Sequence, residues 1–341
     1  MSLGRPARRG GKGHSQSGKI RPEPLGAPSK LDRMRPHLYR HAQSFKPETP
    51  IRREQLMQDP TLETPRRIER LAEVSNGYDA IFCDIWGVVH DGLAKHPAAE
   101  RALTAARQAG VTVVLITNAP RKAAGVIAML DSFGISREAY DHVVTSGDVT
   151  RALIAKAEGP VFHIGPERDV DLFEGLSVER TQDPGSARAV IATGLFDDET
   201  ETPEDYRDLI TAFRRNDLPM ICANPDIVVH RGEKLVYCAG AVARAYEEAG
   251  GTVSMAGKPY PPIYAEAHRL AGTTGASRIL GIGDGLATDI RGANDAGLDV
   301  LLITGGIHGK DFGDRPEDPA AVGGVLAEKG LAANFFMAAL G

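Results

Sequence analysis

The chain has 341 residues, 42% hydrophobic and 25% charged, with a formal net charge of −5. This is ordinary globular composition, and the length suggests about two domains. It contains no apolar run of about 18 residues, which argues against a membrane span, and no charged start leading into an apolar stretch, which argues against a secretory signal. Cys83, Cys222 and Cys238 form neither a CxxC pair nor a zinc spacing, and Cys83 lies inside an apolar run, where cysteine is a small buried hydrophobe. A reduced, cytoplasmic protein is the expectation.

Charge is unevenly spread. Residues 1–72 hold 16 Lys/Arg against 7 Asp/Glu, and the remainder 24 against 38. Up to about Pro50 the basic arm is rich in Pro, Gly and Ser and cannot bury enough apolar surface to order itself. A flexible extension over 1–60 is expected. It reads either as a tether to nucleic acid or lipid or as a solvated extension, in which Met1-Ser2-Leu3 looks vector-derived. The acidic remainder argues against nucleic-acid binding by the protein as a whole.

In chain order, 62–76 reads as a helix with Pro65 in its first turn and Asn76-Gly77 past its end. Ala80-Ile81-Phe82-Cys83 is an apolar run ending at Asp84, as in a buried parallel strand. A helix over 97–109, a strand over 111–118, a helix over 121–134 and a strand over 142–147 follow. This alternation predicts an α/β fold with a doubly wound, Rossmann-like parallel sheet. Ligands of such sheets bind beyond the carboxyl ends of the strands, where Asp84, Thr117, Asn118, Ser146 and Gly147 fall. Further strands are expected at 159–165, 187–194, 218–224 and 233–240, with helices at about 149–157, 203–215 and 240–250. Strands at 278–284 and 299–306 resume the first pattern. The spacing predicts an inserted α/β domain over 148–252 and a main domain formed by 61–147 and 253–341.

Four pieces stand at strand ends: Asp84-Ile85-Trp86-Gly87, Thr117-Asn118, Gly257-Lys258-Pro259, and Gly283-Asp284-Gly285-Leu286-Ala287-Thr288-Asp289. Taken in order, with the insertion between the second and third, they resemble the haloacid dehalogenase (HAD) superfamily. Within it they resemble class IIA, the C2-capped class of sugar-phosphate and p-nitrophenyl-phosphate phosphatases, in a subgroup with the DxWG form. The resemblance covers about 73–310. It implies a HAD core with an inserted α/β C2 cap, a magnesium ion, a small phosphorylated metabolite as substrate, no membrane, and a homodimer.

By the same resemblance Asp84 is the nucleophile on phosphorus, forming an aspartyl-phosphate. Asp84, Asp284 and the backbone oxygen of Trp86 hold the metal, with Asp289 supporting it, directly or through water. Lys258 neutralises nucleophile and phosphate, and Thr117, with Asn118 beside it, binds phosphate oxygens. Cys222-Ala223-Asn224-Pro225-Asp226 resembles a cap segment that makes Asn224 and Asp226 candidates for the substrate pocket, with Arg121 and His230 weaker. Each residue has a structural alternative: a cap or turn for Asp84 and Asp289, a solvated lysine for Lys258, a β-branched strand residue for Thr117, and an Asx turn around Pro225.

One departure matters. In phosphatases of this superfamily the residue two after the nucleophile is usually an Asp that protonates the leaving oxygen, and here it is Trp86. A positioned general acid is worth about 10²–10⁴-fold. His90 and Asp91, in the following turn, are candidates for the missing proton, with a solvent-facing turn histidine as the alternative for His90. A catalytically weak or inactive phosphoryl-ligand binder is therefore the competing expectation, with phosphotransfer to an acceptor other than water as a third. The glycine-rich stretch at 281–292 lacks the GxGxxG spacing of a dinucleotide site.

Overall fold

The computed structural model describes residues 64–341 except 232, 233, 314 and 315, and the side chains of 230–235 are also outside the description. The basic arm over 1–60 and the first residues of the helix expected at 62–76 lie outside the described residues.

The main sheet is built from β1 (Arg66–Arg67), β2 (Ala80–Asp84), β3 (Thr112–Thr117), β4 (His142–Thr145), β12 (Ile279–Gly283), β13 (Asp299–Ile303) and β14 (Phe335–Met337). Its order is β1-β14-β13-β12-β2-β3-β4, and every pairing is parallel. From β2 the chain winds outward through β3 and β4. After β12 it winds the other way. The crevice between β2 and β12 is thus the point where strand order reverses, the standard ligand position in an open parallel sheet.

Both faces of the sheet are covered, so its strands read as continuous apolar runs. Ile81, Cys83, Val113 and Leu115 pack with Leu103 and Ala106 of α1 (Pro97–Gln108) and with Val126 and Leu130 of α2 (Ala123–Ser132). The alternate residues Ala80, Phe82, Val114 and Ile116 face Val149 of α3 (Ser146–Ile154) and Ile263, Tyr264 and Ala267 of α6 (Pro261–Ala271). The period of two is what sorts neighbouring side chains onto opposite faces.

The second sheet, order β11-β8-β7-β5-β6, is also parallel. Its strands are β5 (Val161–Ile164), β6 (Arg180–Thr181), β7 (Ala189–Ala192), β8 (Met220–Cys222) and β11 (Val253–Met255). Helices α4 (Arg207–Arg215) and α5 (Ala239–Glu248) pack on it through Phe213 and Tyr246. An antiparallel hairpin of β9 (Val228–Arg231) and β10 (Lys234–Tyr237) stands apart from both sheets. The strand expected at 233–240 is thus one arm of a hairpin.

Within the insertion expected over 148–252, α3 sends Val149 into the main core, and the second sheet runs from Val161 to Met255. One expectation is corrected. The segment 64–77 is not a helix. Arg66 and Arg67 add a parallel edge strand to β14, through Arg66 N–H to the Asn334 carbonyl (2.9 Å) and Ile68 N–H to the Phe336 carbonyl (3.1 Å), and 3-10 turns follow at Leu71–Glu73 and Ser75–Gly77. Pairing with an open edge and burial of Ile68 and Leu71 outweigh a weak local helix preference.

Leu115 is wholly buried at the centre of β3. Leu115→Ala should cost about 2–5 kcal/mol, the usual range for a cavity in a packed core, read as a lower urea midpoint with unchanged slope.

Candidate active site

Asp84 ends β2, and Asp284 follows β12 immediately, so the two adjacent strands carry both carboxylates to the same edge of the sheet. Asp289 comes from the π-helical turn Leu286–Ile290. Lys258 sits in the loop between β11 and α6. Its ammonium donates to Asp84 Oδ1 (2.5 Å), Asp289 Oδ1 (2.6 Å) and the Ile116 carbonyl (3.3 Å). All four side chains are at least nine-tenths buried.

Backbone groups hold the carboxylates. Asp284 Oδ2 accepts the Ile307 N–H (2.7 Å), and Asp289 Oδ2 accepts the Gly285 N–H (3.1 Å). Side chains are excluded where the chain closes around Asp284: a Cβ on Gly306 would lie 2.0 Å from its Oδ2, and one on Gly87, where φ is +80°, would lie 2.3 Å from the same atom. Asp289 thus caps the backbone through one oxygen and partners the lysine through the other.

Asn118, just past β3, brackets Lys258. Its Oδ1 accepts the Lys258 N–H (2.6 Å), and its Nδ2 donates to the Lys258 carbonyl (3.1 Å) and to Asp226 Oδ1 (3.3 Å). The amide is therefore taken up by protein partners, two on the lysine and one on the insertion. Ser146 Oγ lies within hydrogen-bonding distance of the Asn118 and Ala119 carbonyls (2.8 and 3.0 Å) and fixes that turn, with half-buried Thr117 at its start, Oγ1 accepting the Ala119 N–H (3.2 Å).

The electrostatics are those of a site short of positive charge. Burial, then the Asp289 charge, pushes the Asp84 carboxyl well above the usual carboxylate range despite Lys258. Burial and Asp289 likewise raise Asp284. Burial alone would lower Lys258, but Asp289 and Asp84 outweigh it and hold the ammonium firmly charged. Three carboxylates against one ammonium leave a formal deficit of two positive charges. One oxygen from each of Asp84, Asp284 and Asp289 lies within 4.8 Å of the others. An all-oxygen donor set with that deficit fits a hard divalent ion such as magnesium.

The turn after β2 differs from expectation. Trp86 is 54% exposed, its ring edge-on to His90 with centroids 5.2 Å apart. His90 is wholly buried between Trp86 and Phe133 and is not a solvent-facing histidine. Its Nδ1 accepts the Gly92 N–H (2.9 Å), which leaves the proton of the neutral ring on a buried Nε2 that has no hydrogen-bond partner among the described residues. Burial also lowers its pKa. Asp91 is an exposed turn residue whose Oδ1 accepts the Leu93 and Ala94 N–H groups (both 2.8 Å), and its pKa is lowered by them. His90 thus keeps its ring proton inside the packing, and Asp91 caps its own turn.

In the insertion, Asn224 Oδ1 accepts the Asp226 N–H (3.1 Å), the Asx turn around Pro225. Asp226 reaches the main domain through Asn118, and burial raises its pKa. Arg121 is exposed, and the side chain of His230 lies outside the described residues. The Asn118 bracket and the Ile307 N–H escaped sequence reading. The only signal for the latter was the Gly305-Gly306 pair closing a strand.

A doubly wound parallel sheet with a buried carboxylate–lysine centre at its switch point defines the class of protein. The description "haloacid dehalogenase-like hydrolase" matches residues 81–179, and a second HAD-hydrolase-like description matches 255–328. A solved Brucella suis hydrolase of the haloacid dehalogenase-like family is 48% identical, with a TM-score of 0.69, covering 80% of this chain and all of that one. The human haloacid dehalogenase-like hydrolase domain-containing protein 2 is 27% identical over 239 residues, 68% of this chain and 86% of that protein. A Mycobacterium tuberculosis glycerol phosphate phosphatase, solved in complex with magnesium, is 25% identical with a TM-score of 0.56, covering 71% of this chain and 74% of that one. The chain belongs to the haloacid dehalogenase-like hydrolase family.

Under chelation, Lys258→Met should destabilise the fold by about 3–5 kcal/mol, the usual result of removing one partner from a buried ion pair. Asp84 and Asp284 have raised folded pKa values, so they favour the fold below the ordinary value of 3.8 and lose that contribution as pH rises through the folded values. The deficit of the variant should therefore shrink on acidification. Denaturant titrations across pH would check this.

Proposed function

We propose that the chain is a magnesium-dependent phosphatase that acts on a small phosphorylated metabolite through an aspartyl-phosphate at Asp84. The observation that carries this reading is the Lys258 ammonium, buried between Asp84 and Asp289 with Asp284 alongside. Asp84 attacks phosphorus. Lys258 holds the attacking carboxylate in place and offsets charge that builds on the phosphoryl oxygens. Thr117 Oγ1 and the N–H groups of the turn held by Ser146 bind those oxygens. Asp84, Asp284 and the Trp86 backbone carbonyl would hold the magnesium ion, with Asp289 in support. When bound, that ion supplies the positive charge that lets the carboxylate and the phosphate approach each other.

The inserted domain serves as a C2 cap in this reading. Asp226 and Asn224 are its candidates for the substrate pocket, and the Asn118–Asp226 bond couples cap position to Lys258. The magnesium-bound glycerol phosphate phosphatase supports the metal and the phosphatase reaction. Trp86 favours a second reading, in which a phosphorylated ligand is bound but turned over poorly, or its phosphoryl group is passed to an acceptor other than water. Among the described residues no helix is long and apolar enough to cross a membrane.

Phosphate release from a panel of phosphate esters should require magnesium, stop with chelator, and fall at least about a thousandfold in Asp84→Asn. A folded protein that binds magnesium and releases phosphate from none of them would favour the second reading. Magnesium should also raise the melting temperature of the wild type, since it binds only the folded state, and Asp284→Asn should abolish most of that rise.

A further inference from the structure

We infer that this site is built for phosphates whose leaving oxygen departs without a proton, aryl or acyl phosphates, and not for esters of ordinary alcohols. The inference rests on the phosphatase reading and narrows its substrate class.

The turn from Ile85 to Gly92 contains two titratable side chains, His90 and Asp91; the structure buries the first, ring proton included, and turns the second outward against its own backbone. His90 is sealed between two aromatic rings with Nδ1 on a backbone N–H, and Asp91 Oδ1 takes two backbone N–H groups. The remaining position, Trp86, carries no exchangeable proton of useful acidity. Its indole lies against Gly92, where a Cβ would come within 2.4 Å of the ring, so the turn is shaped around the indole. Lys258 is committed to Asp84 and Asp289.

The first step can still proceed if the leaving group is stable as an anion. An Asp84 oxygen forms a bond to phosphorus, the bond from phosphorus to the leaving oxygen breaks, and its electron pair stays on the departing oxygen. Phenol-type groups have pKa values near about 10 and carboxyls near about 4, against about 15.7 for water, which aliphatic alcohols resemble. Phenolate and carboxylate can therefore leave unprotonated where an alkoxide cannot. In the second step water bonds to phosphorus, the bond to Asp84 breaks with its electron pair returning to the carboxylate, and the water proton leaves to solvent with inorganic phosphate.

The test measures kcat/KM of the full chain with magnesium on p-nitrophenyl phosphate, phenyl phosphate, acetyl phosphate and glycerol 3-phosphate, with Asp84→Asn as control. Rates should be Asp84-dependent and fall steeply as leaving-group pKa rises, with glycerol 3-phosphate at least about a hundredfold slower than p-nitrophenyl phosphate, the size of a missing general acid. The acetyl and phenyl arms distinguish an acyl from an aryl preference. Trp86→Asp should raise glycerol 3-phosphate turnover relative to p-nitrophenyl phosphate. If that variant does not fold, the wild-type series alone decides. Asp84-dependent turnover of glycerol 3-phosphate as fast as p-nitrophenyl phosphate would overturn this inference and leave the phosphatase reading standing. Absence of Asp84-dependent release from all four would overturn both.

Discussion

Everything in the candidate site depends on one buried ammonium. Lys258 lies 2.5 Å from Asp84 and 2.6 Å from Asp289, deep enough that burial alone would favour its neutral form. It stays charged because two carboxylates face it, and they in turn tolerate burial because it is there. A buried charge without a partner is costly, and a paired one is tolerated only when its remaining hydrogen bonds are also met. The third donor contact of the lysine, to the Ile116 carbonyl, and the two Asn118 bonds to its backbone meet that condition. The local excess of acid over base remains, and that excess is what a divalent ion would offset.

The sheet places these groups without any one loop carrying the burden. Asp84 ends β2 and Asp284 follows the end of the neighbouring parallel strand β12 at the reversal of strand order, so their proximity follows from the register of Cys83 opposite Ile282. Lys258 arrives from the far side, 174 positions from Asp84 in the chain, at the point where the insertion returns to the main domain. The insertion is therefore connected to the lysine by a short chain of hydrogen bonds: Asp226 to Asn118, and Asn118 to the Lys258 backbone. These bonds tie the second-sheet segment that carries Asp226 to the backbone of the residue whose ammonium faces Asp84.

Much of this was legible in the sequence, for identifiable reasons. The strands 80–84, 112–117 and 279–283 announce themselves as apolar runs ending at polar residues, because a doubly covered sheet requires apolar side chains on both faces. Asp84, Lys258, Asp284 and Asp289 stand out through the resemblance to the HAD motifs, at those ends or in short glycine-bounded turns. What was not legible depends on long-range contact. The start of the described chain looked helical, but the open edge of β14 captured Arg66 and Arg67. His90 looked like a turn residue in water, yet Trp86 and Phe133 close over it. Asn118 looked like a ligand group for phosphate, yet residues 108 and 140 positions away occupy its amide.

The glycines around Asp284 show what kind of site this is. Gly87 and Gly306 allow the backbone to approach a carboxylate oxygen to distances that no side chain permits, and Ile307 donates an N–H to the same oxygen. Such a site holds its charges in fixed positions before any ligand arrives, so little reorganisation is left for the reaction itself. The cost falls on the fold, which must keep three carboxylates out of water around one ammonium, and stability given up in this way is the usual accompaniment of a preorganised polar centre. Trp86 belongs to the same logic. An Asp there would add a fourth acid beside the cluster. The indole packs instead on Gly92, in the same turn as Gly87, and adds no charge to the edge of the carboxylate cluster.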